Sequence, residues 1–379
     1  MIYLDNAATT YPKPDSVYDA LKQAACECGG NPGRGVHKLS LASANKVFET
    51  REKIADMFGA TPERVVFTQN TTYALNIAIK CLWNDRDGHI LISDIEHNSV
   101  RRSVAALCGR GDISASFDVY SSRGKTEDVI ASIRSKIRPD TKMLVACHRS
   151  NIAPITLPIK EIGKLCRERG IMFVVDAAQS AGSVRINMNA CSIDALCAPG
   201  HKGLFGIMGV GFVAFSDRVS EERLSTLVEG GSGMSSEEIG MPGILPERLE
   251  AGTLPVPAIA ALGAGIDYVQ MLGIEQIASH ENMLLSRGQD MLMSIGRCMV
   301  YKPIFAEGSA FVFNVVGRAP SEVSGYLDSC GICTRSGLHC APLAHARVGT
   351  PKGGAVRVSF SPMSTSADLD ALYRAIKTI

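Results

Sequence analysis

A series of short apolar runs, each followed by a helix-like stretch, limits this chain more than any other feature. "RVVFT" (64–68), "HILIS" (89–93), "MLVACH" (143–148) and "IMFVVDAA" (171–178) recur in this way. The last of these has no alternation of polar and apolar residues, as expected of a strand covered on both faces. Between the last two runs, Ile159, Ile162, Leu165 and Cys166 mark one helical face and Gly170 supplies the stop. Short apolar strands alternating with amphipathic helices predict an α/β fold around a mostly parallel sheet. Near the end of the chain, Thr365 to Asp368 reads as a capping box. Leu369, Leu372, Tyr373 and Ile376 then fall on one face of a last helix.

Composition excludes several classes of function. The chain has 379 residues, a formal net charge of +1 and 46% hydrophobic residues, as in an ordinary globular protein with room for two domains. A near-neutral charge gives no electrostatic case for nucleic acid or an anionic membrane. The longest nearly apolar run, Gly203–Phe215, is glycine-rich and too short to span a bilayer. The start "MIYLDNAATT" lacks the basic and apolar regions of a signal peptide, so a cytoplasmic protein with reduced thiols is expected. "CEC" (26–28) and "CGIC" (330–333) have no second pair at zinc-site spacing, and no metal site is expected among the twelve cysteines.

Parallel sheets bind ligands beyond the carboxyl ends of their strands, and the residues there form a coherent set. After "VVFT" come Thr71 and Thr72, which read as helix-capping hydroxyls as readily as a phosphate cradle. His97 follows "HILISD", where a packed or capping histidine is the plainer reading. Asn151 follows "MLVACHRS", and Asp176 ends an apolar strand with Gln179 just beyond. A carboxylate in that position is costly unless a cation meets it. "ALCAPG" leads into His201 and Lys202, a lysine placed where its surroundings can lower its pKa. An amine, a carboxylate, a flat ring and a phosphate cradle together match pyridoxal phosphate.

At this point nine segments carry a resemblance: "YLDNAATT", "NPGRGVH", "TQNTTYALN", "EHNS", "VVDAAQSAG", "GHKGLFG", "EAGT", "RSGLHCA" and "VRVSF". They run in order from residue 3 to residue 360. The chain resembles the class-V aminotransferase group of fold-type I pyridoxal-phosphate enzymes, specifically the cysteine desulfurases and selenocysteine lyases. The resemblance implies a large domain (13–255) with a mostly parallel seven-stranded sheet. It implies a smaller α+β C-terminal domain (256–379, joined by 1–12) that carries the catalytic cysteine.

Residue roles follow from the same resemblance. Lys202 would hold the cofactor as a Schiff base and shuttle protons. Asp176 would pair with the ring nitrogen, Gln179 with the ring oxygen, and Asn151 would orient that edge. His97 would stack on the ring and take part in proton movement. Thr71, Thr72 and His201 would hold the phosphate, and Thr253 would reach the phosphate of a neighbouring subunit in a homodimer. Arg357 would clamp the substrate carboxylate, with Ala7, Asn151 and Arg335 also at the substrate.

Cys340 takes the place of the cysteine that receives sulfur as a persulfide. Read alone, it is a small apolar side chain; its place in "RSGLHCA" favours the reactive reading. Sixteen residues separate it from Arg357, as in the group with a short cysteine loop. Pro154, Pro199, Ile207 and Met208 depart from the family pattern near the cofactor. The expected activity converts L-cysteine to L-alanine and passes sulfur to an acceptor protein in iron–sulfur cluster assembly or related sulfur metabolism. The alternatives are a selenocysteine lyase, another β-eliminating or epimerising relative, and a cofactor-binding protein with little turnover.

Overall fold

The computed structural model describes residues 1–33, 35–83, 87–303 and 307–379. Arg34 of "NPGRGVH" lies outside them. The first half of the chain runs β1 (Ile2–Tyr3), α1 (Asp15–Glu27), α2 (Lys38–Phe58), β2 (Val65–Thr68), α3 (Thr71–Cys81), β3 (Asp87–Ser93), α4 (Asn98–Cys108), β4 (Ser114–Tyr120), α5 (Thr126–Lys136), β5 (Thr141–Cys147), α6 (Ile159–Arg169) and β6 (Met172–Asp176). It continues with β7 (Ala195–Pro199), β8 (Gly211–Phe215), α7 (Val256–Leu272), α8 (Ile274–Met293), β9 (Cys298–Val300), β10 (Ala310–Val315), α9 (Pro320–Ser329), β11 (Ile332–Cys333), β12 (Arg335–Gly337), α10 (Pro342–Val348), β13 (Ala355–Ser359) and α11 (Ser366–Thr378).

The central sheet has seven strands in the order β2-β8-β7-β6-β5-β3-β4, and only β8 runs against the rest. Its strands read as continuous apolar runs because both faces are covered. Phe173 and Val175 enter one core, with Leu144 and Leu91. Val174, between them, enters the other, with Val145, Ile90 and Val66. Each such side chain contributes about 1.5–3 kcal/mol on burial. Gly170 ends α6 at φ +66, in the left-handed region where a glycine costs least.

A second body packs around the antiparallel sheet β12-β13-β10-β9. Its core joins Phe311, Phe313, Val356 and Val358 to Leu284 of α8 and to Leu369, Leu372 and Ile376 of α11. Thr365 caps α11 with the expected box, its hydroxyl accepting from Asp368 N. The N-terminal strand joins this body: β1 pairs in parallel with β11, and Leu4 lies in its core. The long helix α7 packs on α1 and α2 and sends Ile259 and Leu262 into the core of the large sheet. The segment with Pro154 closes on itself, through Ser150 N to Ile155 O and an antiparallel bridge between Arg149 and Thr156.

Candidate active site

Four neighbouring strands of the large sheet (β7, β6, β5 and β3), and β2 beyond β8, end at the same edge, and the residues just past them meet. Beyond β2, Asn70 rather than a threonine caps α3, its Oδ1 accepting from Tyr73 N at 3.0 Å. That leaves the Thr71 and Thr72 side chains free of the capping duty read from sequence. Thr72 Oγ1 lies 2.8 Å from Ser99 Oγ instead. Beyond β3, His97 is the cap of α4: its Nδ1 accepts from Ser99 N at 3.1 Å and meets Ser99 Oγ at 2.8 Å. The capping reading of His97 therefore holds, and the same ring also lines the cavity described next.

That cavity, about 110 Å³, is walled by Thr71, Thr72, His97, Asn151, Asp176, Gln179, His201 and Lys202, together with Asn70, Ser99, Cys147 and Ala178. Asp176, at the end of β6, is buried. Burial raises its pKa, while the Ala178 amide and the Lys202 ammonium oppose the rise. Burial lowers the pKa of Lys202 to about 8, with Asp176 acting upward and Arg357 and Arg335 downward. His97 falls to about 4, through burial and then the positive charges of Lys202, Arg335 and Arg357, so its ring is neutral at pH 7. His201 also falls to about 4 by burial, and its Nδ1 is buried with no partner.

The N-terminal segment closes one side. Gln179 Nε2 donates to Ala7 O at 2.9 Å. The His201 carbonyl takes hydrogen bonds from Thr9 Oγ1, Thr10 N, Thr10 Oγ1 and Lys13 Nζ, the last at 2.7 Å. The peptide that leads into Lys202 is therefore tightly held. Lys13 is half-buried, which lowers its pKa to about 7.

The second body brings the remaining residues. Arg357 of β13 is buried, pairs with Asp5, and donates through Nη1 to Asn151 O at 3.2 Å. Arg335 of β12 sits directly across from it in the antiparallel register. Like charges placed so are unfavourable unless an anion is shared. Cys340 follows on the loop between β12 and α10; it is exposed, and its carbonyl accepts from Asn98 N at 2.7 Å. Asn151 Nδ2 donates to the neighbouring His339 O at 2.8 Å. Cys340 lines an open recess of about 280 Å³ that shares Thr72, His97 and Ser99 with the inner cavity. Thr253 lies apart from both: exposed, and within 3.2 Å of Asn31 Nδ2.

Sequence reasoning overlooked several residues here. Asp5 stood inside a quoted motif, yet nothing local signals its partner Arg357. Cys147 ends β5 opposite Asp176, and burial holds its thiol well above the ordinary range. Glu96 is fully buried with a pKa of about 8. Its Oε1 accepts from Ser93 and from Cys147 N, and its Oε2 has no partner. An acid within a strand-end motif was the only available hint.

The comparisons with known proteins agree with this geometry. The family model for class-V aminotransferases matches residues 2–372. A probable cysteine desulfurase of Methanothermobacter thermautotrophicus is 32% identical over 100% of this chain and 94% of its own. One from Pyrococcus abyssi is 30% identical with the same coverage. Among solved structures, the apo cysteine desulfurase of Thermococcus onnurineus superposes with a TM-score of 0.90 at 29% identity, covering 100% of this chain and 94% of that one. A cysteine desulfurase of Escherichia coli shares the fold, with a TM-score of 0.88 at 24% identity over 99% of this chain and 94% of its own. The chain belongs to the class-V aminotransferase family of fold-type I proteins.

Proposed function

We propose that this protein is a pyridoxal-phosphate-dependent cysteine desulfurase, which turns L-cysteine into L-alanine and keeps the sulfur as a persulfide on Cys340. The observation that carries the reading is the bond from Asn151 to His339, which fixes the cysteine loop against the wall of the cavity that holds Lys202 and Asp176. The residues fit the cofactor: an amine whose pKa is lowered, a buried carboxylate, a neutral ring, and an orphaned His201 Nδ1 in the same cavity as Thr71 and Thr72. Lys202, Asp176, Gln179, Asn151, His97, Thr71, Thr72 and His201 would hold it. Bound there, pyridoxal phosphate supplies an electron sink for the bonds at the substrate's α and β carbons.

The chain's own groups do the rest. Arg357 and Arg335 share a register position, and Asp5 pairs with Arg357, which leaves an excess of positive charge, the condition that receives a carboxylate. The amine of Lys202 moves a proton between substrate carbons, and its pKa of about 8 suits both donor and acceptor duty. The Cys340 thiolate attacks the substrate sulfur: an S–S bond forms and the C–S bond breaks. The electron pair stays on carbon, which takes a proton to give alanine. Exposure of Cys340 lets a sulfur-acceptor protein reach the product.

A homodimer completes the reading. Val36, Leu39, Leu41 and Phe48 near the start of α2, and Met234, Ile239 and Ile244 before Thr253, are large apolar side chains in solvent. Asn31, just before the first group in the chain, and Thr253, just after the second, are joined by a 3.2 Å hydrogen bond, and a second copy covering these residues would bring Thr253 to a neighbouring site. Among the described residues no single helix is long and apolar enough to cross a membrane. A persulfide carrier among this many free thiols suits the cytoplasm.

The test is the purified protein with cofactor and L-cysteine, assayed for alanine and for persulfide on Cys340. Wild type should form both, and Cys340→Ala should bind cofactor but release little alanine. Pyruvate and free sulfide in place of alanine would overturn the reading in favour of elimination.

A further inference from the structure

The Cys340 loop is held in a shape that its own motif does not explain. His339 and Cys340 both have positive φ, +49 and +56, a region that residues bearing a Cβ seldom occupy in succession. His339 is buried, and its Nε2 lies 3.1 Å from the carbonyl oxygen of Arg335. A carbonyl only accepts, so Nε2 carries the proton and Nδ1 is the acceptor. Nδ1 faces His345 Nε2 at 3.1 Å, which must therefore donate. His345 Nδ1 is then the acceptor, and the Thr350 hydroxyl stands 2.8 Å from it. The two rings stack with centroids 5.3 Å apart and planes 12° from parallel.

The direction of this chain is fixed at its Arg335 end, by a carbonyl that cannot donate; at the other end the Thr350 hydroxyl can donate to His345 Nδ1, and it also reaches the His345 carbonyl at 3.3 Å. The charged groups around it are Arg357 on β13, which disfavours protonation of both rings, and Arg335 on β12, which disfavours that of His339. His345 belongs to α10 and lines neither the inner cavity nor the recess beside Cys340. We infer that His345 is a positioning residue for the nucleophile: its Nε2–H fixes the His339 ring and, through it, the left-handed backbone that presents Cys340 to the recess. The inference rests on the desulfurase reading for its kinetic readout alone.

Three variants test it. His345→Leu removes the donor, His345→Gln replaces it with an amide N–H of similar reach, and Thr350→Val removes the far end of the chain. Persulfide formation on Cys340 in a single turnover should slow about tenfold in the leucine variant, the effect of one lost hydrogen bond. The KM for cysteine and the cofactor absorbance should stay at wild-type values. The glutamine variant should recover most of the rate, and Thr350→Val should lie between. Wild-type rates in His345→Leu would overturn the inference. So would equal slowing in the leucine and glutamine variants, because packing rather than the N–H would then matter. The rate at which iodoacetamide alkylates Cys340 is a parallel measure that needs no turnover. It should change in His345→Leu and return toward wild type in His345→Gln, even if wild type forms no persulfide and the desulfurase reading falls. An alkylation rate unchanged across all three variants counts against the inference.

Discussion

Asn151 and His339 are joined by a 2.8 Å hydrogen bond, from the Asn151 side-chain amide to the His339 carbonyl. The same side chain lines the cavity with Lys202 and Asp176, so one residue ties that cavity to the Cys340 loop. Asn151→Asp replaces the donor with an oxygen that repels that carbonyl. Persulfide formation should fall by about 10- to 100-fold, matching the roughly 1–3 kcal/mol cost of an unsatisfied buried group. Stopped-flow measurement with cysteine checks this; an unchanged rate would mean that the bond has no part in catalysis.

Capture of the cofactor should follow the free amine of Lys202. Its pKa of about 8 lies below the ordinary lysine value because burial disfavours the ammonium. Only the neutral form attacks an aldehyde. The rate at which cofactor-free protein takes up pyridoxal phosphate should thus rise about tenfold per pH unit below 8 and flatten above it. A rate still climbing at pH 10 would place Lys202 in a more exposed setting.

Asp176→Asn keeps the shape of the β6 end and removes its charge. Turnover should drop at least about 100-fold, the scale of losing a strong electrostatic contact in a dry site. The absorbance of the bound cofactor should shift to shorter wavelength, and near-normal activity would show that Asp176 is not the ring's partner.

Arg335 and Arg357 share a register position but not an environment, so their variants should differ. Arg335 is exposed; Arg335→Ala should raise KM with little change in Tm. Arg357 is buried against Asp5, and Arg357→Ala leaves a carboxylate there without its partner. That substitution should destabilise the protein by about 3–5 kcal/mol, seen as a lower denaturation midpoint, as well as raising KM. Equal stability of the two variants would contradict the buried pair.

Charges on the apolar face should separate subunits. Val36 is 94% exposed and Ile239 fully so in the single chain. Val36→Asp with Ile239→Asp should sediment as a monomer with weakened cofactor binding, while the helical circular-dichroism signal stays intact. A fully active monomer would remove Thr253 from the neighbouring site.

Local pattern carried much of this structure. The unalternating run at 171–178 announced a doubly covered strand because its residues enter two cores in turn. An acid at its end marked a cation nearby for the same reason that burial raises the pKa of Asp176. Edge strand β4 was harder to see, since "SASFDVY" is half-exposed and has little apolar signal. The cap of α3 fell on Asn70 instead of the threonines beside it, a choice between adjacent polar residues that only backbone geometry decides. Asp5 with Arg357, and His339 with His345, left no trace at all, because nothing in a window of sequence records which way a ring or carboxylate turns.

The pairing of Asp5 with Arg357 joins positions 352 residues apart in the chain. On a ribosome, the first strand therefore waits for β11, and Asp5 waits for a partner 352 residues further on in β13. The large sheet meanwhile closes from nearer contacts, so a nascent chain should have a folded Lys202 side before it has a substrate clamp. The surroundings of Cys340 and Arg357 are assembled last, and a chain released early would carry the Lys202 cavity without them.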